Sequence, residues 1–260
     1  MKKIDKHAPG SFCWIELGTS DQNAAKNFYM PLFGWEADDR PMGPSEFYTM
    51  FKLQGREVGA AYTLTKEMKG VPPHWMVYIA VENADASAKR AEQLGGKICK
   101  GAFDVFDVGR MAVLQDPAGA MFCVWQAKTH SGIEIAGVDG TMCWADLNTP
   151  DREKAEKFYS GVFGWKIMKE DEEPAHAYYH IKNGEEFIGG MPPPMPMSKK
   201  IPPHWLVYFL THECDKYATK AKELGAKFLM EPITMEDVGR FGVLSDPQGA
   251  AFAIFQPKAR

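Results

Sequence analysis

The chain has no run of lysine or arginine, and its net charge is only −4. Nucleic-acid binding takes much of its affinity from neutralising phosphates, so this absence argues against a nucleic-acid partner. The opening residues, Met1-Lys2-Lys3-Ile4-Asp5-Lys6-His7, are polar and have no apolar core segment. Neither a signal peptide nor a membrane span is expected, and no membrane partner. Cysteine is scarce and odd in number, at Cys13, Cys99, Cys123, Cys143 and Cys214. A disulfide framework is thereby disfavoured, and reduced thiols in a cytoplasmic protein are the simplest expectation. Also missing are a nucleophile elbow, a phosphate-cradling glycine loop and a His/Cys zinc cluster. A chain of 260 residues, 45% hydrophobic and 25% charged, has the make-up of a soluble globular protein of two domains.

What is present is written twice. Trp14, Phe28-Tyr29, Phe33-Gly34-Trp35, Pro72-Pro73-His74-Trp75, Gly109-Arg110 and Asp116-Pro117 return as Trp144, Phe158-Tyr159, Phe163-Gly164-Trp165, Pro202-Pro203-His204-Trp205, Gly239-Arg240 and Asp246-Pro247. One constant offset links all these anchors, so the two copies share loop lengths and backbone. A repeat this long exceeds the roughly 20–50 residues of a solenoid unit and can bury its own core. We therefore place a first domain at 1–126, a linker at 127–139, where Thr129, Ser131 and Gly132 interrupt the apolar pattern, and a second domain at 140–260.

Within each copy a smaller unit also repeats. Residues 11–18 alternate as a strand does, with Phe12, Trp14 and Glu16 on one face. Thr19 is expected to cap a helix carrying Ala25, Phe28, Tyr29 and Leu32, which Gly34 ends; its twin begins Thr149-Pro150-Asp151, a capping hydroxyl followed by a first-turn proline. Short strands follow at 35–37, 47–53 and 57–63. The order then recurs as a strand at 75–82, a helix at 85–94 and strands at 97–100, 111–114 and 120–126. The expected fold is α+β: four βαβββ modules, two per half.

This arrangement resembles the vicinal oxygen chelate superfamily, which includes glyoxalases, bleomycin-resistance proteins and extradiol dioxygenases. The resemblance rests on the strand with Trp14, the helix with Phe28-Tyr29 ending at Phe33-Gly34-Trp35, and the Asp116-Pro117-x-Gly119 hairpin. Tandem members with Pro-Pro-His-Trp in each half are especially similar. The resemblance implies two curved eight-stranded sheets shaped as cups, each able to hold a ligand or metal ion. It also implies a divalent metal bound by His and Glu from the strands. Carried onto this chain, those positions fall at Trp14, Met76 and Cys123 and at Trp144, Leu206 and Ala253, and the remaining stretches, 58–62 and 188–192, contain no acid or histidine. Indole, thioether and alkyl groups cannot stand in for imidazole and carboxylate, so neither a metal nor another cofactor is expected.

Strand alternation places Glu16 beside Trp14 and Asp146 beside Trp144, with His74, Met76 and Tyr78, and likewise His204, Leu206 and Tyr208, on a facing strand. These residues with Cys123 make the expected ligand-binding set, and Glu16, His74, Asp146 and His204 are the candidates for any catalysis. Plainer roles stay open: the carboxylates satisfied by backbone N–H groups, each histidine locking its Pro-Pro loop, and Arg110 and Arg240 pairing with Asp107 and Asp237. The preferred function is metal-independent binding of a small, partly aromatic molecule. The alternatives are a lyase or dioxygenase with Glu16 as base and His74 as its acid partner, and an interaction protein using the Pro/Met segment 191–197. A monomer and a homodimer both remain open.

Overall fold

The computed structural model describes every residue except 44–45, 69, 170–176, 195–200 and 260. A short strand β1 (Lys2–Lys3) precedes β2 (Phe12–Thr19), α1 (Gln22–Phe33), β3 (Glu36–Pro41), β4 (Phe47–Leu53) and β5 (Arg56–Thr63). The second module is β6 (His74–Ala80), α2 (Ala84–Gln93), β7 (Lys97–Val105), β8 (Gly109–Gln115) and β9 (Met121–Ala127). After β10 (Ile135–Ala136) the second half repeats the series: β11 (Met142–Asn148), α3 (Arg152–Phe163), β12 (Lys166–Lys169), β13 (Tyr179–Asn183), β14 (Glu186–Met191), β15 (His204–Leu210), α4 (Cys214–Glu223), β16 (Lys227–Met235), β17 (Gly239–Ser245) and β18 (Ala251–Pro257).

Each half forms its own eight-stranded mixed sheet, in the order β3-β4-β5-β2-β6-β9-β8-β7 and, in the second half, β12-β13-β14-β11-β15-β18-β17-β16. The two modules of a half meet at the antiparallel pair of β2 and β6, while β2 with β5 and β6 with β9 run parallel. Register sets Trp14 opposite Tyr78, Glu16 opposite Met76 and Gly18 opposite His74. Trp144, Asp146 and Asn148 face Tyr208, Leu206 and His204 in the same way. The expected α+β architecture of four modules and two open, curved sheets is the one observed.

The helix caps differ from expectation. Asp21, not Thr19, is the N-cap of α1, its carboxylate accepting the Ala24 N–H at 2.9 Å. Thr19, three residues before Gln22, instead accepts the Asp21 N–H. Asp151 caps α3 likewise, so Pro150 precedes the cap and does not open the helix. A carboxylate near the positive end of a helix satisfies a free N–H and interacts favourably with the helix dipole, which a hydroxyl does less well. Arg110 bonds Asp85 with two nitrogens, at 2.7 and 2.9 Å, and Arg240 bonds Asp215. These partners lie at the starts of α2 and α4. Asp107 and Asp237 are therefore not the pairing residues; Lys258 takes Asp237.

The halves are joined through their repeated motifs. Tyr29 of α1 donates its hydroxyl to Asp246 Oδ2 at 3.0 Å, and Tyr159 of α3 donates to Asp116 Oδ2 at 3.2 Å. Trp75 and Trp205 in turn donate their indole N–H groups to Tyr29 and Tyr159, at 3.0 and 3.1 Å. The other oxygen of each aspartate accepts three backbone N–H groups of its own turn, from Ala118, Gly119 and Ala120 and from Gln248, Gly249 and Ala250. Two further indoles cross the boundary, Trp35 to the Gly140 carbonyl and Trp165 to the Gly10 carbonyl. Phe33 packs on Phe209 at 4.8 Å between ring centres and Phe12 on Trp205 at 5.2 Å. Aromatic area supplies most of the driving force here, and the polar tips of these side chains all find partners.

The segment 127–139 is folded onto the first half. β10 pairs with β1, and Ile133 and Ile135 are buried. Ile133 donates its N–H to the Cys13 carbonyl, and a side chain at Gly132 would meet that carbonyl oxygen at 2.1 Å. Only glycine fits so close an approach, which its positive φ of 121° also favours. Of the Pro/Met segment, Met191 is buried at the end of β14, while 195–197 lie outside the described residues.

The reciprocal tyrosines give a test. Tyr29→Phe removes a donor from a buried carboxylate and an acceptor from Trp75, and should cost about 2–3 kcal/mol in urea unfolding, as should Tyr159→Phe. A loss under about 0.5 kcal/mol for both would show that these bonds do not hold the halves together.

Candidate functional site

The concave face of β2 carries Trp14 and Glu16, because side chains two apart share a face. Tyr48 approaches from β4 and Tyr78 from β6. Both hydroxyls donate to the same carboxylate oxygen, Glu16 Oε2, at 2.6 and 3.1 Å. The Trp14 indole N–H donates to the Tyr48 oxygen at 3.2 Å, extending the chain of donors that ends on Glu16. Over this group opens a cavity of about 340 Å³. Met50, Met111 and Trp125 contribute apolar wall, and Phe106, 73% exposed, forms an apolar lip. Arg40, Asp107 and His130 supply the polar rim.

Burial raises the Glu16 carboxyl above its ordinary value, against the downward pull of the Tyr48 and Tyr78 hydroxyls. Glu57, outside the cavity lining, is also raised by burial, but its contacts outweigh that: His130 at 2.8 Å and Arg40 at 2.6 Å hold it low. The His130 ring stands edge-on to Trp14, 4.7 Å between centres, and its carbonyl accepts the Trp125 indole N–H.

Of the residues expected in the first cup, Trp14, Glu16 and Tyr78 come together at this cavity, and His74, Met76 and Cys123 do not line it. The His74 ring Nδ1 bonds the Pro72 carbonyl at 2.9 Å, as His204 bonds Pro202 at 2.8 Å, so each histidine closes its own Pro-Pro turn. Met76 packs against the core, and Cys123 is buried behind Tyr78, where burial pushes its thiol well above the ordinary value. Tyr48, Arg40, Trp125 and His130 were not foreseen. Tyr48 of β4 and Tyr178, just before β13, are a repeated pair at the same offset as the other anchors, and that spacing was the available signal.

In the second half the same pattern is drawn tighter. Asp146, 4% exposed, accepts the Trp144 indole N–H and the Tyr178 hydroxyl at Oδ1, and the Tyr208 hydroxyl at Oδ2, 2.8 Å away. Burial raises this carboxyl as well, more than its three donors and His180 lower it. Leu206, Tyr208 and Ala253 form a separate small apolar cluster with Trp144 packed against it.

The model of the glyoxalase/bleomycin resistance protein/dioxygenase superfamily matches residues 11–124 and again 141–254. The chain belongs to that superfamily. It is 39% identical to a Mycobacterium tuberculosis protein named "Putative glyoxylase CFP32", over 99% of this chain and 98% of that one. It is 34% identical to the anthracycline biosynthesis protein DnrV of Streptomyces peucetius, over 97% of this chain and 95% of that one. Among solved structures, the Mn(II)-bound glyoxalase of Novosphingobium aromaticivorans superposes with a TM-score of 0.66 at 17% identity, covering 95% of this chain and 82% of the other. That similarity is one of fold. A divalent metal held by imidazoles and carboxylates does not fit the side chains here, where Trp14 and Met76 offer neither and Cys123 is a lone thiol that burial keeps protonated. Among the described residues no three His, Cys, Asp or Glu side chains converge to hold a metal ion.

The raised Glu16 carboxyl has a pH consequence. The folded chain keeps this proton to a higher pH than the unfolded chain, so the stability it contributes is complete below the unfolded value of roughly 4.3 and is lost as pH rises through the folded value. Glu16→Gln keeps an oxygen for the tyrosines and removes the titration. The stability of Glu16→Gln relative to the wild type should therefore rise between pH 4 and pH 8 in urea titrations; an unchanged difference would show that Glu16 titrates as in the unfolded chain.

Proposed function

We propose that the first cup binds a small, partly aromatic molecule without the help of a metal ion. The observation that carries this reading is the cavity itself: walls of Trp14, Tyr48, Tyr78 and Trp125 around the Glu16 carboxyl, with Asp107 at the rim. A volume of about 340 Å³ lies within the range of small-molecule sites, and a largely apolar surface with a few directed polar groups is their usual make-up. The relative named for anthracycline biosynthesis supports a flat, fused-ring ligand, because rings of that kind pack well on indole and phenol side chains.

Titration with two-ring and three-ring aromatic ketones and quinones, followed by tryptophan fluorescence, tests it. Micromolar affinity is expected, unchanged by chelator and weakened about tenfold in Trp14→Ala, the scale of one lost aromatic wall. No binding by any of these compounds, or binding abolished by chelator, would sink the reading.

A second reading, an enzyme with Glu16 as general base, is favoured by one observation: burial raises this carboxyl, which suits a base. His74 does not supply the acid partner, being held by Pro72 outside the cavity lining. Deuterium incorporation into a bound ketone from D₂O, lost in Glu16→Gln, would move the assignment to this reading.

A further inference from the structure

We infer that the ligand of the first cup carries an organic cation, a protonated amine or its equivalent, held by the free oxygen of Glu16 among the aromatic walls. The inference rests on the binding reading above and specifies the ligand class.

Both tyrosine hydroxyls reach Oε2, and among the described residues no donor reaches Glu16 Oε1. That oxygen belongs to a cavity-lining residue and is not among the buried atoms left without a partner, so it faces the open space. The neighbours that act on the carboxylate are uncharged: Tyr48 and Tyr78, with Tyr62 and Cys123 beyond them. On the cavity rim, the Arg40 guanidinium is engaged by Glu57 at 2.6 Å and by Asp38 at 3.6 Å, and the His130 ring by Glu57. Asp107 adds a second negative charge at the mouth. Among the described residues, no cation pairs with Glu16, which faces the cavity in a box of indole and phenol rings. Ammonium groups are attracted to such rings, more strongly when water is excluded. A neutral aromatic ligand of the same shape can still fill the cup but gains no charge-assisted bond to Glu16, so it is expected to bind more weakly than the cation.

The second cup provides the contrast. Both oxygens of Asp146 already accept donors, Trp144 and Tyr178 on one and Tyr208 on the other. Its carboxylate is committed internally, so a cation should bind once per chain.

Calorimetric titration of the intact protein with naphthylmethylammonium and with its uncharged isostere naphthylmethanol decides the matter. The expected result is one ammonium per chain, bound at least about tenfold more tightly than the alcohol, with Glu16→Gln bringing the two affinities together. Equal or tighter binding of the alcohol by the wild type overturns the cation and leaves the aromatic cup standing. A preference that persists in folded Glu16→Gln overturns the role of Glu16. If neither probe binds, this inference falls together with the reading beneath it. Should Glu16→Gln fail to fold, the ratio measured on the wild type alone decides for or against the cation.

Discussion

The architecture depends on a buried, reciprocal hydrogen bond between a helix of one half and a hairpin turn of the other. Tyr29 reaches Asp246 and Tyr159 reaches Asp116, and each aspartate is at once the organiser of its own turn and the acceptor of a foreign hydroxyl. A carboxylate in that setting is costly to bury. Burial raises Asp116 and Asp246, and three backbone donors plus one tyrosine work against that rise. With both oxygens of each aspartate engaged, the network favours one docking of the halves, because removing the tyrosine would leave Oδ2 of a buried carboxylate without its donor.

This constraint reaches the cup through β6. Trp75, bonded to Tyr29, alternates with Met76, so anchoring the indole against α1 turns Met76 and Tyr78 to the opposite face of the strand. Register then brings Tyr78 opposite Trp14, within reach of Glu16. The docking of the halves and the floor of the cavity are thus two faces of one strand pair.

Much of this was legible because the chain states it twice. Repeated anchors set the module count, and alternation along residues 11–18 put Trp14 and Glu16 on one face. The partners of repeated residues were not legible. Phe28-Tyr29, Pro-Pro-His-Trp and Asp-Pro-x-Gly are far apart in each copy, and their meeting depends on which half packs on which, something no local period encodes. The histidine of Pro-Pro-His-Trp was weighed as a site residue, and its ring bonds the Pro72 carbonyl, outside the cavity lining, as that of His204 bonds Pro202. Arg110 was matched to an acid near in sequence, whereas Asp85 lies across the sheet at the start of a helix. His130 escaped notice because it sits among Thr129, Ser131 and Gly132, residues typical of a tether.

That tether makes the two copies unequal in what each can lose. The stretch that leads into the second copy has been recruited as masonry of the first: His130 stands against Trp14, and Ile133 is pinned to the strand carrying it. The first copy cannot be excised at its repeat boundary without taking down part of its own vestibule. Cut after residue 126, the first copy would lose the His130 edge of its cavity and the Ile133 bond that braces β2, whereas among the described residues nothing after β18 plays that part for the second copy.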